Sequence, residues 1–207
     1  MAGASAGDRD KANSGARRRP GPTRAQLEAA RGELLPDVLP GPGDPPLRVL
    51  FSGINPGLVS AHTGHHFARP GNRFWPALHA GGFTPRVFAP AEQNLLPGLG
   101  LGITNVAPRA TARADELSDA EMVAGGERLR ALVAGRAPRW LAVVGIVAYR
   151  VAFTERTAVV GPQERRVGDT RIWVLPNPSG LNAHYTPAAL GEAFAALHRA
   201  VEKPDPP

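Results

Sequence analysis

Two short stretches of this chain gather an asparagine, a proline and glycine closely enough to build a site: Gly53-Ile-Asn-Pro-Gly57 and Asn177-Pro-Ser-Gly-Leu-Asn182. In the first, two glycines and a proline fix a tight turn that aims the Asn55 side chain and nearby main-chain N–H groups outward. An amide donates and accepts hydrogen bonds but does not take up a proton as a carboxylate does, so Asn55 suits orienting a nucleophile better than activating one. The turn is not a phosphate-binding loop, because the Lys-Ser/Thr ending and the glycine spacing of that loop are both missing. Taken alone, such a turn is more often an ordinary strand end. The same holds for other residues met singly. Thr111 reads as a cap or turn residue, Asn105 as a turn asparagine, Phe67 as core, and His65 and His66 as surface residues. Adjacent histidines seldom ligate one metal and no further ligand cluster lies nearby, so neither a metal nor a cofactor is expected. The absence of cysteine excludes disulfides, thiolate nucleophiles, and iron–sulfur or cysteine-ligated zinc sites.

The elements that must position these residues follow from apolar patterning. Leu47 to Phe51, Trp140 to Val144 and Thr170 to Leu175 are short apolar runs of buried-strand type, the first ending in the Asn55 turn and the last in the Asn177 loop. Helical spacing covers Phe74 to Ala80, Asp119 to Val133, Val147 to Phe153 and Pro187 to Val201. A shorter helix is expected from the N-cap Thr23 to about Leu35, stopped by Pro36. Alternation of this kind predicts an α/β fold, a three-layer α/β/α sandwich with a mostly parallel central sheet. In such sheets, functional groups collect beyond the carboxyl ends of the strands, so both Asn-Pro loops are expected to line one cleft.

The chain of 207 residues, 43% hydrophobic, is long enough for one well-buried core and too short for two ordinary domains. A basic tail over residues 1–22, with Arg17, Arg18 and Arg19 in a row, cannot bury enough apolar area to offset ordering entropy and is expected to be disordered. Residues 23–46 are expected to form the short helix and a linker, 47–203 the catalytic domain, and 204–207 a frayed end. A net charge of +6 and an isoelectric point near 10.9 favour an anionic partner, nucleic acid first, although an Arg-rich composition alone accounts for them as readily. No bilayer-spanning apolar run and no signal segment is visible, so a cytoplasmic protein without a membrane partner is expected.

Read together, six blocks resemble the mismatch-specific uracil/thymine-DNA glycosylases in order and spacing. They are Gly53-Ile-Asn-Pro-Gly-Leu58, Gly64-His-His-Phe67, Pro70-Gly-Asn-Arg-Phe-Trp75, Leu96-Pro-Gly, Gly102-Ile-Thr-Asn105 with Arg109 and Thr111, and Asn177-Pro-Ser-Gly-Leu181. The resemblance runs from about Leu47 to Val201. It implies a uracil-DNA glycosylase-like fold and hydrolysis of the N-glycosidic bond of a flipped uracil, and over a wider range thymine or other damaged pyrimidines, mispaired with guanine in double-stranded DNA. The enzyme it implies is monofunctional and a monomer.

The resemblance also implies roles. Asn55 positions the water and Thr111 helps to hold it. The Ile54 N–H meets a base carbonyl, Asn105 contacts the pyrimidine edge, Phe67 stacks on the extruded base, and His66 lies near the reacting base. The Asn177–Asn182 loop enters the helix through the minor groove, with Gly180 and Leu181 reading the widowed guanine. Ser179 or Asn177 would contact phosphate, a plain turn role being nearly as good a reading. Two departures stand out. Ala183, between Asn182 and His184, occupies the place where relatives carry an arginine, which weakens the expected grip on DNA. The activating Asp and late His of the fast uracil-specific enzymes are also missing. Two other functions remain open at this stage: a non-catalytic module that binds mismatched or damaged DNA, and an α/β protein using the Gly53–Gly57 turn for a small nucleotide.

Overall fold

The computed structural model describes residues 21–203. The expected tail over 1–22, apart from its last two residues, and the expected frayed end over 204–207 lie outside the described residues.

Five strands form one sheet. In chain order they are β1 (Val49–Gly53), β2 (Leu101–Asn105), β3 (Trp140–Val144), β4 (Gly161–Val167) and β5 (Thr170–Leu175), and they lie side by side as β2-β1-β3-β5-β4. β2, β1, β3 and β5 run parallel, and β4 pairs with β5 antiparallel. The central strands β1 and β3 are buried along their whole length, as strands covered on both faces must be. Side chains alternate between the two faces. Val49 and Phe51 point into one core with Phe74, Phe83, Leu190 and Phe194, while Leu50 points into the other with Leu129, Leu141, Tyr149 and Phe153.

The helices that cover these faces are α1 (Arg24–Ala29), α2 (Leu58–Thr63), α3 (Phe74–Ala80), α4 (Asp119–Arg136), α5 (Ile146–Ala152) and α6 (Pro187–Glu202). α3 and α6 supply the first core, and α4 and α5 the second, giving the expected three layers. α4 starts with a reciprocal cap, in which Ser118 receives the Glu121 N–H while the Glu121 carboxylate receives the Ser118 N–H. α6 is capped by Thr186 with Pro187 at its first position.

Several boundaries differ from expectation. The first strand begins at Val49 rather than Leu47 and extends to Gly53. The first helix ends at Ala29, not near Leu35, and Gly32 takes a positive φ of 81° that turns the chain well before Pro36. Residues 32–38 then run as an irregular edge beside β2. The Gly32 N–H donates to Ala110 at 2.9 Å, and Val38 exchanges main-chain bonds with Ile103 at 2.8 Å. This stretch, read as helix and linker outside the catalytic unit, therefore packs on the edge of the sheet. No helix among the described residues is long and apolar enough to cross a membrane.

Candidate active site

The carboxyl ends of the parallel strands open into a cleft of about 850 Å³. Its lining brings together Ile54 and Asn55 after β1, Asn105 at the end of β2, Thr111, the His66-Phe67 pair, and Asn177 to Ser179 with Leu181 after β5. The two Asn-Pro loops, 122 residues apart by their asparagines (177 − 55), thus face one cleft because their strands are parallel and both end there.

The Gly53–Gly57 turn is stitched to the chain that follows β2. Val106 N–H donates to Gly53 O and Ala107 N–H to Ile54 O, each at 2.9 Å, and Thr111 N–H donates to Pro56 O at 3.1 Å. Within this frame the Asn55 amide nitrogen meets three acceptors: the Thr111 hydroxyl at 2.7 Å, Pro56 O at 3.1 Å and Arg109 O at 3.2 Å. The Thr111 hydroxyl spends its own proton on Arg113 O at 2.6 Å, so toward Asn55 it can only accept. The amide orientation is thereby fixed. Its nitrogen is consumed by protein, and its oxygen is left as an acceptor at the cleft wall. Thr111 is buried at the cleft wall, and its hydroxyl is bound to the Asn55 amide. The Arg109 side chain pairs with Glu121 at 2.6 Å, holding that carboxyl down at about 2 and anchoring the loop that carries two of the three acceptors.

A second amide is set from the opposite wall. His66 is not a surface residue: only 1% of it is exposed. Its Nε2–H donates to Pro36 O at 2.9 Å, and its main-chain N–H donates to the buried Gln93 at 2.8 Å. Burial pushes the imidazole below its ordinary pKa of 6.5, with the Pro36 bond and the charge of Asp37 opposing and His65 assisting. The ring is therefore neutral at pH 7, with its single proton on Nε2. Nδ1, 3.3 Å from the Asn105 amide nitrogen, is then an acceptor, so Asn105 gives His66 its N–H and turns its oxygen elsewhere. That oxygen lies over Gly53, where a Cβ would sit 2.6 Å from it and 3.2 Å from the Phe67 ring. Only glycine at 53 leaves room for both groups. Asn105 itself is steadied by Arg128, which donates to its main-chain oxygen, and by Asp37, which accepts from the neighbouring Thr104 hydroxyl at 2.6 Å.

Phe67 adopts φ 53°, a left-handed conformation that costs a non-glycine residue on the order of 1–3 kcal/mol and that clusters at functional sites. Stacking on Phe74, with ring centroids 3.9 Å apart and 14° between planes, offsets part of that cost and leaves the ring half-buried at the cleft. The result is a flat apolar wall beside two oriented amides.

The second loop is built otherwise. Asn177 Oδ1 caps Ser179 N–H at 2.9 Å, Asn182 Nδ2 donates to Asn177 O at 2.9 Å, and the Ser179 hydroxyl oxygen accepts from Leu181 N–H at 3.3 Å. These polar side chains shape the loop itself. Both side chains accept within the loop, as in the turn reading, and keep their donors, the Ser179 hydroxyl proton and the Asn177 amide N–H groups, for the phosphate contact expected of them. Leu181 stands 77% exposed at the tip. Gly180 lies so close to the Gly71 carbonyl that a Cβ would come within 2.6 Å of it.

Sequence reasoning missed Pro36, Leu35 and Leu27, the latter two lining the cleft from the segment read as helix and linker. The only available signal was the burial potential of two leucines. Among the described residues no group of three or more His, Asp or Glu converges as metal ligands would. Oriented amides and a stacking face in a cleft with room for a nucleobase suit a reaction in which a planar group is held and departs, with no strong base. The family model of the uracil DNA glycosylase superfamily matches residues 40–198, most of the chain and all five strands. The protein therefore belongs to that superfamily and is a DNA glycosylase acting on uracil-type lesions.

Proposed function

We propose that this glycosylase is of the mismatch-specific type: it flips uracil, and over a wider range thymine or other damaged pyrimidines, from a pair with guanine and hydrolyses the glycosidic bond without cutting the strand. The observation that carries this reading is the Asn55 amide at the cleft, whose nitrogen is fully occupied by protein acceptors, which reserves its oxygen as the group left to hold a water. That oxygen can hold a water by one of its protons and aim a lone pair at the sugar. It cannot remove the proton at the outset, so the reaction depends on the stability of the departing pyrimidine anion. Such an enzyme is slow and tolerant of lesion type.

Recognition of the base rests on Phe67 for stacking, worth about 1–3 kcal/mol in nucleic-acid binders, and on the Asn105 oxygen as acceptor for an imino N–H. The Ile54 N–H lies on the same wall for a base carbonyl, and neutral His66 sets the Asn105 amide. Among the described residues the only lysine, Lys203, caps the far end of α6, and no lysine is among the described residues that line the cleft. Guanine preference follows from the second loop. Exposed Leu181 fills the hole left by the base, and the carbonyls of Gly180 and Leu181 can accept from the guanine edge. A wobble pair also costs less to open than a proper one. The protein works as a monomer, one flipped base at a time.

The test is single-turnover excision from duplexes holding guanine-paired uracil, thymine and other altered pyrimidines, beside matched single strands, read as alkali-labile abasic product. Product from guanine–uracil duplex with little from adenine–uracil duplex is expected. Duplex binding without product makes the protein a non-catalytic mismatch-binding module instead.

A further inference from the structure

Arg73, at the start of α3, has no task in the chemistry described above, yet it is among the most heavily engaged cations of the protein. Its main-chain N–H donates to Pro178 O at 2.9 Å. Its guanidinium then reaches three carbonyls of the same loop: Nη1 donates to Tyr185 O at 2.6 Å, and Nη2 to Ser179 O at 2.6 Å and to Asn182 O at 2.9 Å. All of these acceptors are main-chain oxygens, and no carboxylate among the described residues shares them. The planar fork of an arginine is suited to several fixed carbonyls at once, as a point-charge ammonium is not. Close packing of Gly180 on Gly71 joins the same two segments at a second place.

An exposed loop presents its carbonyls to either side with little preference, since water can satisfy them all. Here one cation draws the oxygens of Ser179, Asn182 and Tyr185 inward. The carbonyls of Gly180 and Leu181, between them, accept no hydrogen bond among the described residues and stay with the exposed Leu181 at the tip. We propose that Arg73 is the positioning residue of the DNA wedge: it clasps the 177–185 loop from behind, so that Leu181 and the two free carbonyls are presented before DNA arrives. The functional half of this inference rests on the proposed mismatch reading; the clasp itself does not.

Arg73→Met and Arg73→Lys test it by two measurements on the full chain. Hydrogen exchange should show the bonded amides of Ser179, Leu181, Asn182 and His184 exchanging faster in R73M, with β5 and α6 unchanged. Single-turnover excision should fall roughly tenfold or more on guanine–uracil duplex but less than about threefold on the single strand, since only the duplex needs a preformed wedge. R73K should lie between, because an ammonium cannot span three carbonyls. Unchanged loop protection in R73M overturns the clasp, and an equal fall on duplex and single strand overturns its role in the wedge. If the unaltered protein releases no uracil from either substrate, the glycosylase reading fails; loop exchange alone then decides whether Arg73 holds the loop.

Discussion

The two Asn-Pro turns begin alike, each at the end of a parallel strand and each closing on the same cleft, but they spend their asparagines in opposite ways. Asn55, at the cleft, has its nitrogen bound from a loop more than fifty residues away, at Arg109 and Thr111. Asn177 turns its oxygen back on Ser179 two residues on. One amide is oriented by distant structure; the other uses its oxygen to shape its own turn, with Leu181 exposed at the tip. The same dipeptide is therefore oriented from across the fold in one place and from within its own loop in the other. The difference lies in whether the rest of the fold supplies acceptors for the amide.

The sharpest way to break this contrast is Asn55→Ala. On the proposed role of Asn55 in orienting the water, its loss should lower single-turnover excision on the order of 10²–10³-fold or more, while duplex affinity by anisotropy stays within a few-fold. Survival of turnover means that another group places the nucleophile. Asn55→Asp refines the point. A carboxylate can act as a base, so the pH profile of cleavage should change its shape, and an unchanged profile separates this side chain from the water.

Next in size is Thr111→Val, which keeps the volume but removes one of three acceptors around the Asn55 nitrogen. With two carbonyls still in place the amide loses part of its orientation, and excision should fall roughly tenfold with little change in KM, as expected when positioning alone is disturbed. Thr111→Ser should restore most of the rate. At the second turn the same logic predicts a smaller effect. Asn177→Ala deletes a cap inside a loop also held by Arg73, so excision from duplex should fall only a few-fold, with single-strand excision unaffected. A loss at Asn177 as large as that at Asn55 would remove the distinction between the two turns.

Much of this architecture was legible in the residues. Trp140–Val144, Thr170–Leu175 and Phe74–Ala80 have the bounds that apolar patterning predicts, because each contributes a run of apolar side chains to the cores on the sheet faces. β4 escaped notice. Its Gly161–Val167 stretch is polar and half-exposed, an edge strand recognisable only by its pairing with β5. β2 was visible as a motif but not as a strand, since Leu101–Asn105 begins beside a glycine-rich turn and carries little alternation. In the site, residue identities pointed to Asn55, Phe67 and Asn105, whereas the contacts that orient them did not show. Pro36 O reaches His66 across 30 positions of the chain, through a main-chain atom that has no sequence signature. Nor does any local pattern reveal that three carbonyls of the wedge loop converge on Arg73.

The smallest expected effect concerns that Pro36–His66–Asn105 chain and is read as stability rather than rate. Burial holds the folded His66 below its ordinary value of 6.5, so the unfolded chain takes up the proton first as pH falls. The stabilisation is complete above pH 6.5, and it is lost as the pH drops from there through the lower folded pKa. Protonation would also place a donor at Nδ1 against the donating Asn105 amide, which adds to the penalty in the same direction. His66→Gln removes the titration while retaining a donor for Pro36 and an acceptor for Asn105. Urea midpoints at about pH 7.5 and about pH 5 should differ more for the unaltered protein than for H66Q, the difference between the two isolating this histidine from the others. Equal acid sensitivity in both proteins would mean that His66 is not held neutral, and that the Asn105 amide is oriented by something other than this ring.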